Sequence, residues 1–185
     1  MAGDCRQPAG WGGGPIKYFI DTEFIEAGPH RPIALVSIGI VAEDGREFYR
    51  ESSEFDPESA NEWMRQNVLS RLSSDPEERS TLREIGDCIK AFVFDPTKPE
   101  FYGWYADYDW VVFCQTFGAM VDLPRGWPMY CRDLKQECDR LGNPKIDIPK
   151  DDEHNALADA RRIRKIYDFL REMAASGEVV LASHI

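Results

Sequence analysis

"KYFIDTEFI", residues 17–25, places two carboxylates, Asp21 and Glu23, inside a run that is otherwise Tyr, Phe, Ile, Phe and Ile. Ionised groups are costly in an apolar setting unless something pairs with them. The aromatic and β-branched content predicts a strand. In a strand, side chains two apart share a face, so Asp21 and Glu23 would stand together and repel. The stretch therefore calls for a cationic partner beside Asp21 and Glu23.

Composition narrows where that partner can come from. The chain has 185 residues, 43% of them hydrophobic and 12% aromatic, enough for one core of ordinary size. The Gly- and Pro-rich residues 1–15 read as a flexible leader, residues 16–172 as a single domain, and 173–185 as a tail of open structure. No segment approaches the roughly 20 apolar residues a membrane helix needs, and the first residues lack the order of a secretory signal. A cytoplasmic protein with no membrane partner is expected. Five cysteines, an odd number without a C-x-x-C pair, point to reduced thiols, and three histidines are too few for a His-rich zinc site. A formal net charge of −11 excludes broad attraction to polyanions but leaves room for a local cationic centre.

Working outward from residues 17–25, "IALVSIGIVAEDGREFYRESSEF" (33–55) reads as two strands joined by a tight turn at Asp44-Gly45. With the opening strand these make an antiparallel meander. Helical spacing follows over 58–72 and 77–94, the latter carrying Leu82, Ile85, Ile89 and Phe92. "PEFYGWY" (99–105) reads as a short strand, and further helices are expected over 109–121, in "CRDLKQECDRLG" (131–142) with Gly142 at its end, and over 155–172. Strands first and alternation later predict an α/β fold, with a mixed central sheet of meander plus parallel strands flanked by helices.

Two further acids fall on apolar faces. Counting from Asp109 gives Val112, Phe113, Thr116, Phe117 and Met120, and counting from Asp159 gives Ile163, Ile166 and Leu170. Each feature has a plain explanation when taken alone. Asp109 at a helix start reads first as a cap or dipole partner, His154 as a surface or capping residue, and the aromatic residues of "FYGWYADYDW" as packing. Four acids with this placement are harder to assign to coincidence.

Asp21-Thr22-Glu23, then Tyr108-Asp109, then His154 ahead of Asp159 resembles the ordered motifs of the DEDDh 3′-5′ exonuclease superfamily. The stretches "YFIDTEFIEAG", "SIGIVAEDGREFY", "EFDP", "YDWVVFCQTFG" and "HNALADAR" are similar, more narrowly, to the RNase AS branch of polyadenylate-specific 3′-exoribonucleases, related to ribonuclease T. The similarity runs from Ile16 to Leu170. The Asn that many members carry a few residues before the second-motif Asp is missing from "WYADYDW". Asp107 competes with Asp109 there, and Asp109 is preferred for its more apolar face and the aromatic residue directly before it.

The resemblance implies a ribonuclease H-like fold and a two-metal phosphodiester hydrolase acting on single-stranded RNA 3′ ends, adenylate tails favoured. It places Mg²⁺, two ions with Mn²⁺ as a substitute, among Asp21, Glu23, Asp109 and Asp159, and it makes His154 the general base. Hard ions take carboxylate oxygens, so a metal pair is the partner that Asp21 and Glu23 call for. Thr22, Phe24 and Ile25 are implied to lie at the terminal nucleotide, mainly through their backbone, with Phe24 stacking on its base. A homodimer is implied too. The cluster Arg161, Arg162, Arg164 and Lys165 is either part of a substrate path or a solvated helix face. The alternatives within reach are a DNA 3′ exonuclease or a trimming enzyme for short oligonucleotides, a non-catalytic nucleic-acid-binding module of the same fold, and a small-molecule phosphodiesterase.

Overall fold

The run 17–25 forms β1 (Lys17–Ile25), the central strand of a five-stranded sheet in a computed structural model that describes residues 14–93, 98–149 and 153–176. The strand β2 (Ala34–Ala42) pairs antiparallel with β1, and β3 (Glu47–Glu51) antiparallel with β2. On the other side of β1 lie β4 (Glu100–Gly103) and β5 (Arg132–Asp133), both parallel, giving the order β3-β2-β1-β4-β5. The turn at Asp44-Gly45 is as expected: Gly45 adopts φ +93° and donates to the Ala42 carbonyl at 2.9 Å.

Alternation along β1 sends its side chains into two different cores. Tyr18 and Ile20 pack with Ile85 and Ile89 of α2 (Leu82–Phe92) and with Val112 and Phe113 of α3 (Asp107–Gln115). Phe19 faces the other way, toward Leu134 and Cys138 of α4 (Leu134–Arg140) and Ile163, Ile166 and Leu170 of α5 (Ala156–Ser176). A smaller cluster joins Ile25 and Val36 to Ala60 and Val68, which flank α1 (Glu62–Asn67) at the end of β1. The alternation that separates the cores also sorts the polar residues that follow. Asp21 continues the face of Phe19, and Thr22 that of Ile20.

Several elements differ from their expected extent, some for a local reason that the backbone shows. The helix expected over 58–72 is split into a short turn at Pro57–Ser59, α1 and a second turn at Leu69–Arg71, because Ala60 is extended and Asn61 caps a new start, accepting the Met64 amide at 2.9 Å. The one expected over 77–94 begins at Leu82, where Thr81 and Glu84 form a capping box. The expected 109–121 helix spans 107–115 and gives way before Gly118, which has φ +115°. The helix α5 runs on to Ser176, beyond 172. The pair Arg132–Asp133 is a strand too short for any periodicity to reveal. Residues 1–13 of the expected leader and 177–185 of the expected tail lie outside the described residues.

Candidate active site

Asp21 and Glu23 share the α5 face of β1, as their spacing demands, just before a register irregularity between Glu23 and Phe24. Asp159 arrives from the first turn of α5, and one carboxylate oxygen of each of the three lies within 4.8 Å of the others. What brings α5 so near the sheet is Gly39, the β2 residue paired with Asp21. A Cβ at Gly39 would fall 2.3 Å from the Ala156 carbonyl oxygen and 2.4 Å from the Leu157 nitrogen. The first turn of α5 thus rests on bare backbone directly across from Asp21. Asn155 caps that turn, its Oδ1 accepting the Ala158 amide at 3.1 Å.

Asp109 reaches the same strand from the opposite face. It is 7% exposed, and its Oδ1 accepts both the Thr22 amide at 2.9 Å and the Thr22 hydroxyl at 2.6 Å. Asp107, its competitor in the sequence, is solvent-exposed. The two bonds fix one carboxylate oxygen of Asp109 beside the strand that carries Asp21 and Glu23.

Electrostatics register the crowding. Burial, then Asp109, Asp159 and Glu23, push the Asp21 carboxyl well above the usual carboxylate range. Glu23 is raised to about 7 by burial and by Asp159 and Asp109, against a partial offset from Arg71. Asp109 is raised to about 6 by burial in spite of its bonds from Thr22. Asp159 is raised by burial, opposed by the His154 amide and charge. Among the described residues no hydrogen bond or ion pair engages the carboxylates of Asp21 or Glu23. Four acids whose carboxyl groups are all raised, and of which Asp21 and Glu23 engage no hydrogen bond or ion pair among the described residues, form a set suited to a divalent cation. All its donors are hard carboxylate oxygens, the type Mg²⁺ and Mn²⁺ prefer.

His154 stands at the edge of the cluster, immediately ahead of α5. Its backbone has φ +69°, and its amide donates to Asp159 Oδ2 at 2.9 Å. The imidazole meets the indole of Trp63 on α1, ring centroids 4.7 Å apart and planes at 84°. Of the three positions expected at a terminal nucleotide, Thr22 and Ile25 are buried, and Phe24 alone keeps a partly exposed side chain. Phe24 is stacked on the exposed ring of Tyr108 at 5.7 Å and 10°.

The structure thus gathers Asp21, Glu23, Asp109, Asp159 and His154 around one end of β1. The basic cluster behind Asp159 is partly turned to other uses. Arg161 pairs with Glu47 of β3 at 2.6 and 2.8 Å, and Arg164 donates to the Ala42 and Glu43 carbonyls. Gly39 and Trp63 were not legible as site residues. Gly39 sits in a largely apolar strand, where the absence of a Cβ is its only signal. Trp63 carries no sequence mark beyond its size.

The model of the Rv2179c-like 3′-5′ exoribonuclease domain matches residues 16–170. Two Mycobacterium tuberculosis proteins named 3′-5′ exoribonuclease, Rv2179c and MT2234.1 in different strains, are each 42% identical over 149 residues, covering 79% of this chain and 88% of theirs. Among solved structures, S. pombe Pop2p in its Mg²⁺- and Mn²⁺-bound form superposes with a TM-score of 0.53 at 12% identity, covering 90% of this chain and 86% of that one. Cell-death related nuclease 4 gives 0.59 at 15% identity, covering 89% and 65%. The zinc-bound E. coli exonuclease I complex with single-stranded DNA gives 0.55 at 13% identity, covering 89% of this chain and 44% of that one. These likenesses establish the ribonuclease H-like exonuclease fold. With the family model spanning both sheet cores and every acid of the cluster, the chain belongs to the Rv2179c-like 3′-5′ exoribonuclease domain family.

Proposed function

We propose that the protein is a divalent-metal-dependent 3′-5′ exoribonuclease that removes nucleoside 5′-monophosphates from single-stranded RNA. The observation that carries this reading is the convergence of Asp21, Glu23 and Asp159 within 4.8 Å, with Asp109 secured next door on Thr22. In this reading Asp21, Glu23 and Asp159 hold one ion, and Asp21 with Asp109 holds a second, Mg²⁺ in the first instance and Mn²⁺ as a substitute. When bound, such a pair offsets charge on the scissile phosphate and its departing oxygen and makes water a better nucleophile at neutral pH.

The chain's own residues supply the rest. His154 takes the proton of the attacking water, and the bond from its amide to Asp159 holds that backbone beside the cluster. The part-exposed face of Phe24, braced by Tyr108, offers a stacking surface for the terminal base. The amide of Thr22 is committed to Asp109, so Thr22 serves the nucleotide through the placement of that acid. The preference for adenylate tails and the homodimer rest on the resemblance to the RNase AS branch. A cytoplasmic setting rests on the thiols, of which the four described are free.

The test is digestion of a 5′-labelled single-stranded RNA ending in an adenylate run, beside a matched DNA strand, with Mg²⁺, with Mn²⁺ and with EDTA. The expected result is a ladder shortening from the 3′ end of the RNA, absent with EDTA. Equal shortening of the DNA would replace the RNA assignment with a DNA exonuclease. No shortening of either strand with either ion would overturn the reading.

A further inference from the structure

We infer that Trp63 is a positioning residue for the reaction: its indole sets the orientation in which the His154 imidazole meets the attacking water. The inference rests on the reading of His154 as general base.

The main chain at His154 is fixed twice, by the turn that gives it φ +69° and by the bond from its amide to Asp159 Oδ2 at 2.9 Å. Neither fixes the ring. Rotation about the two side-chain torsions would carry the imidazole nitrogens over several ångströms while leaving the backbone bond intact. Among the described residues no hydrogen bond or ion pair engages those nitrogens, and the Asp159 charge that acts on the ring sets no direction for it. The steering contact is Trp63, perpendicular to the imidazole at 84° with centroids 4.7 Å apart, inside the range where edge-to-face aromatic pairs are favourable.

Trp63 is itself well placed to steer. It belongs to α1, whose start is fixed by the Asn61 cap and whose Met64 packs with the cluster around Ile25 at the end of β1. The helix therefore shares an anchor with the strand that carries Asp21 and Glu23. Trp63 is 50% exposed, so it meets the imidazole at the open edge of the cluster and not inside a core. The contact spans 91 positions of sequence, joining the base to a separate element.

The test uses the full chain with Trp63→Ala, Trp63→Phe, His154→Ala and the Trp63→Ala/His154→Ala pair, in steady-state kinetics on a single-stranded adenylate oligonucleotide with saturating Mg²⁺. General-base catalysis contributes about 10²- to 10⁴-fold, so a loosened base should lose a substantial part of that. Trp63→Ala is expected to lower kcat by about tenfold or more while KM changes less than about threefold, and Trp63→Phe to recover much of the loss. In the His154→Ala background, Trp63→Ala is expected to add nothing. A rise in KM with kcat unchanged, or equal losses in both backgrounds, would overturn the inference in favour of direct contact with RNA.

A readout that needs neither metal nor turnover is the NMR spectrum of the three histidines. The His154 ring protons, assigned by their loss in His154→Ala, should move in Trp63→Ala as the indole ring current disappears. An unmoved signal would sink the contact itself. If His154→Ala turned over at the wild-type rate, the base assignment and this inference would both fall. If His154→Ala were inactive while Trp63→Ala kept full kcat, only the role of Trp63 would fall.

Discussion

Two carboxylate sites in one sheet, on strands separated by β2, show opposite solutions to the same problem. Glu51, at the end of β3, is buried and thoroughly answered: it accepts the Ser73 amide at 3.0 and 3.1 Å and the Tyr49 hydroxyl at 3.1 Å, with the Arg79 guanidinium 3.5 Å away. Asp21 and Glu23, on β1, face one another and Asp159 without any such donors among the described residues. Glu51 ties a surface loop to the sheet and is complete without a ligand. The β1 cluster has no comparable donors among the described residues, and its carboxyl groups are raised. An acid that serves the fold surrounds itself with protein donors, whereas one held for chemistry is left for something else to satisfy.

Substitution should separate the two sites by orders of magnitude. Asp21→Asn keeps the shape of the side chain and removes its charge. Because a metal site contributes several kcal/mol to a phosphoryl transition state, exonuclease activity should fall on the order of 10³-fold or more. The metal-free melting temperature should hold or rise, since a repelling charge has gone. Glu51→Ala should do the reverse. It strands the Ser73 amide and Arg79, a loss of about 2–4 kcal/mol, or roughly 5–10 °C in a chain of this size. Activity of the folded molecules should stay within about threefold. Paired melting curves and single-turnover rates check both, and a Glu51→Ala protein as inactive as Asp21→Asn would erase the distinction.

The next effect concerns how the unanswered cluster is assembled. Gly39→Ala would press a methyl against the Ala156 carbonyl, where 2.3 Å leaves no room, so the first turn of α5 must lift, taking Asp159 and His154 with it. Misplacement by about 1 Å can cost about 10²-fold in rate, and a loss of that size is expected in kcat/KM. Unchanged kcat/KM would show that Gly39 does not set the height of α5.

That glycine also marks the limit of what the sequence discloses. Asp21, Glu23, Asp109 and Asp159 could be read because charges on apolar faces violate a periodicity, and the meander because its alternation and its Asp-Gly turn are local signals. Gly39 violates nothing. Its role depends on a helix that starts 117 positions later, which no local pattern records. Thr22 is similar: its spacing shows only that it stands opposite its neighbours, while its pairing with Asp109 is a contact across 87 positions. The broken helix over 57–71 failed for another reason, since apolar spacing persists through Ala60 and Asn61 although the backbone there is extended.

Thr22→Val tests that pairing at smaller amplitude. Valine keeps the strand shape and the amide bond to Asp109 Oδ1 but removes the 2.6 Å bond from the hydroxyl. Groups that orient metal ligands typically contribute about 10- to 100-fold in metal affinity. The Mg²⁺ concentration for half-maximal activity should therefore rise about tenfold, with most of the rate restored at saturation. A Mg²⁺ titration checks this, and an unchanged midpoint would mean that the amide alone suffices to hold Asp109.

The smallest expected effect tests the β1 cluster without any reaction at all. Glu23 at about 7 and Asp109 at about 6 lie above their ordinary values of 4.5 and 3.8, and Asp21 and Asp159 shift the same way. Between about pH 4 and pH 7 the folded cluster therefore binds more protons than the unfolded chain, so its contribution to stability is fully present below about pH 4 and declines as pH rises through 7. The whole protein has other titrating groups, which makes the difference between two titrations the informative quantity. In EDTA, the melting temperature of the wild type relative to Asp21→Asn should fall by a few degrees from pH 5 to pH 8. Saturating Mg²⁺ should cancel that decline, because an ion that binds only the folded, ionised cluster stabilises it most where the carboxylates are charged. Glu51, already answered by protein donors, should show no comparable response to Mg²⁺ when Glu51→Ala is compared with the wild type. A pH trend indifferent to Mg²⁺ would place the unsatisfied charge elsewhere and break the contrast between the two sites.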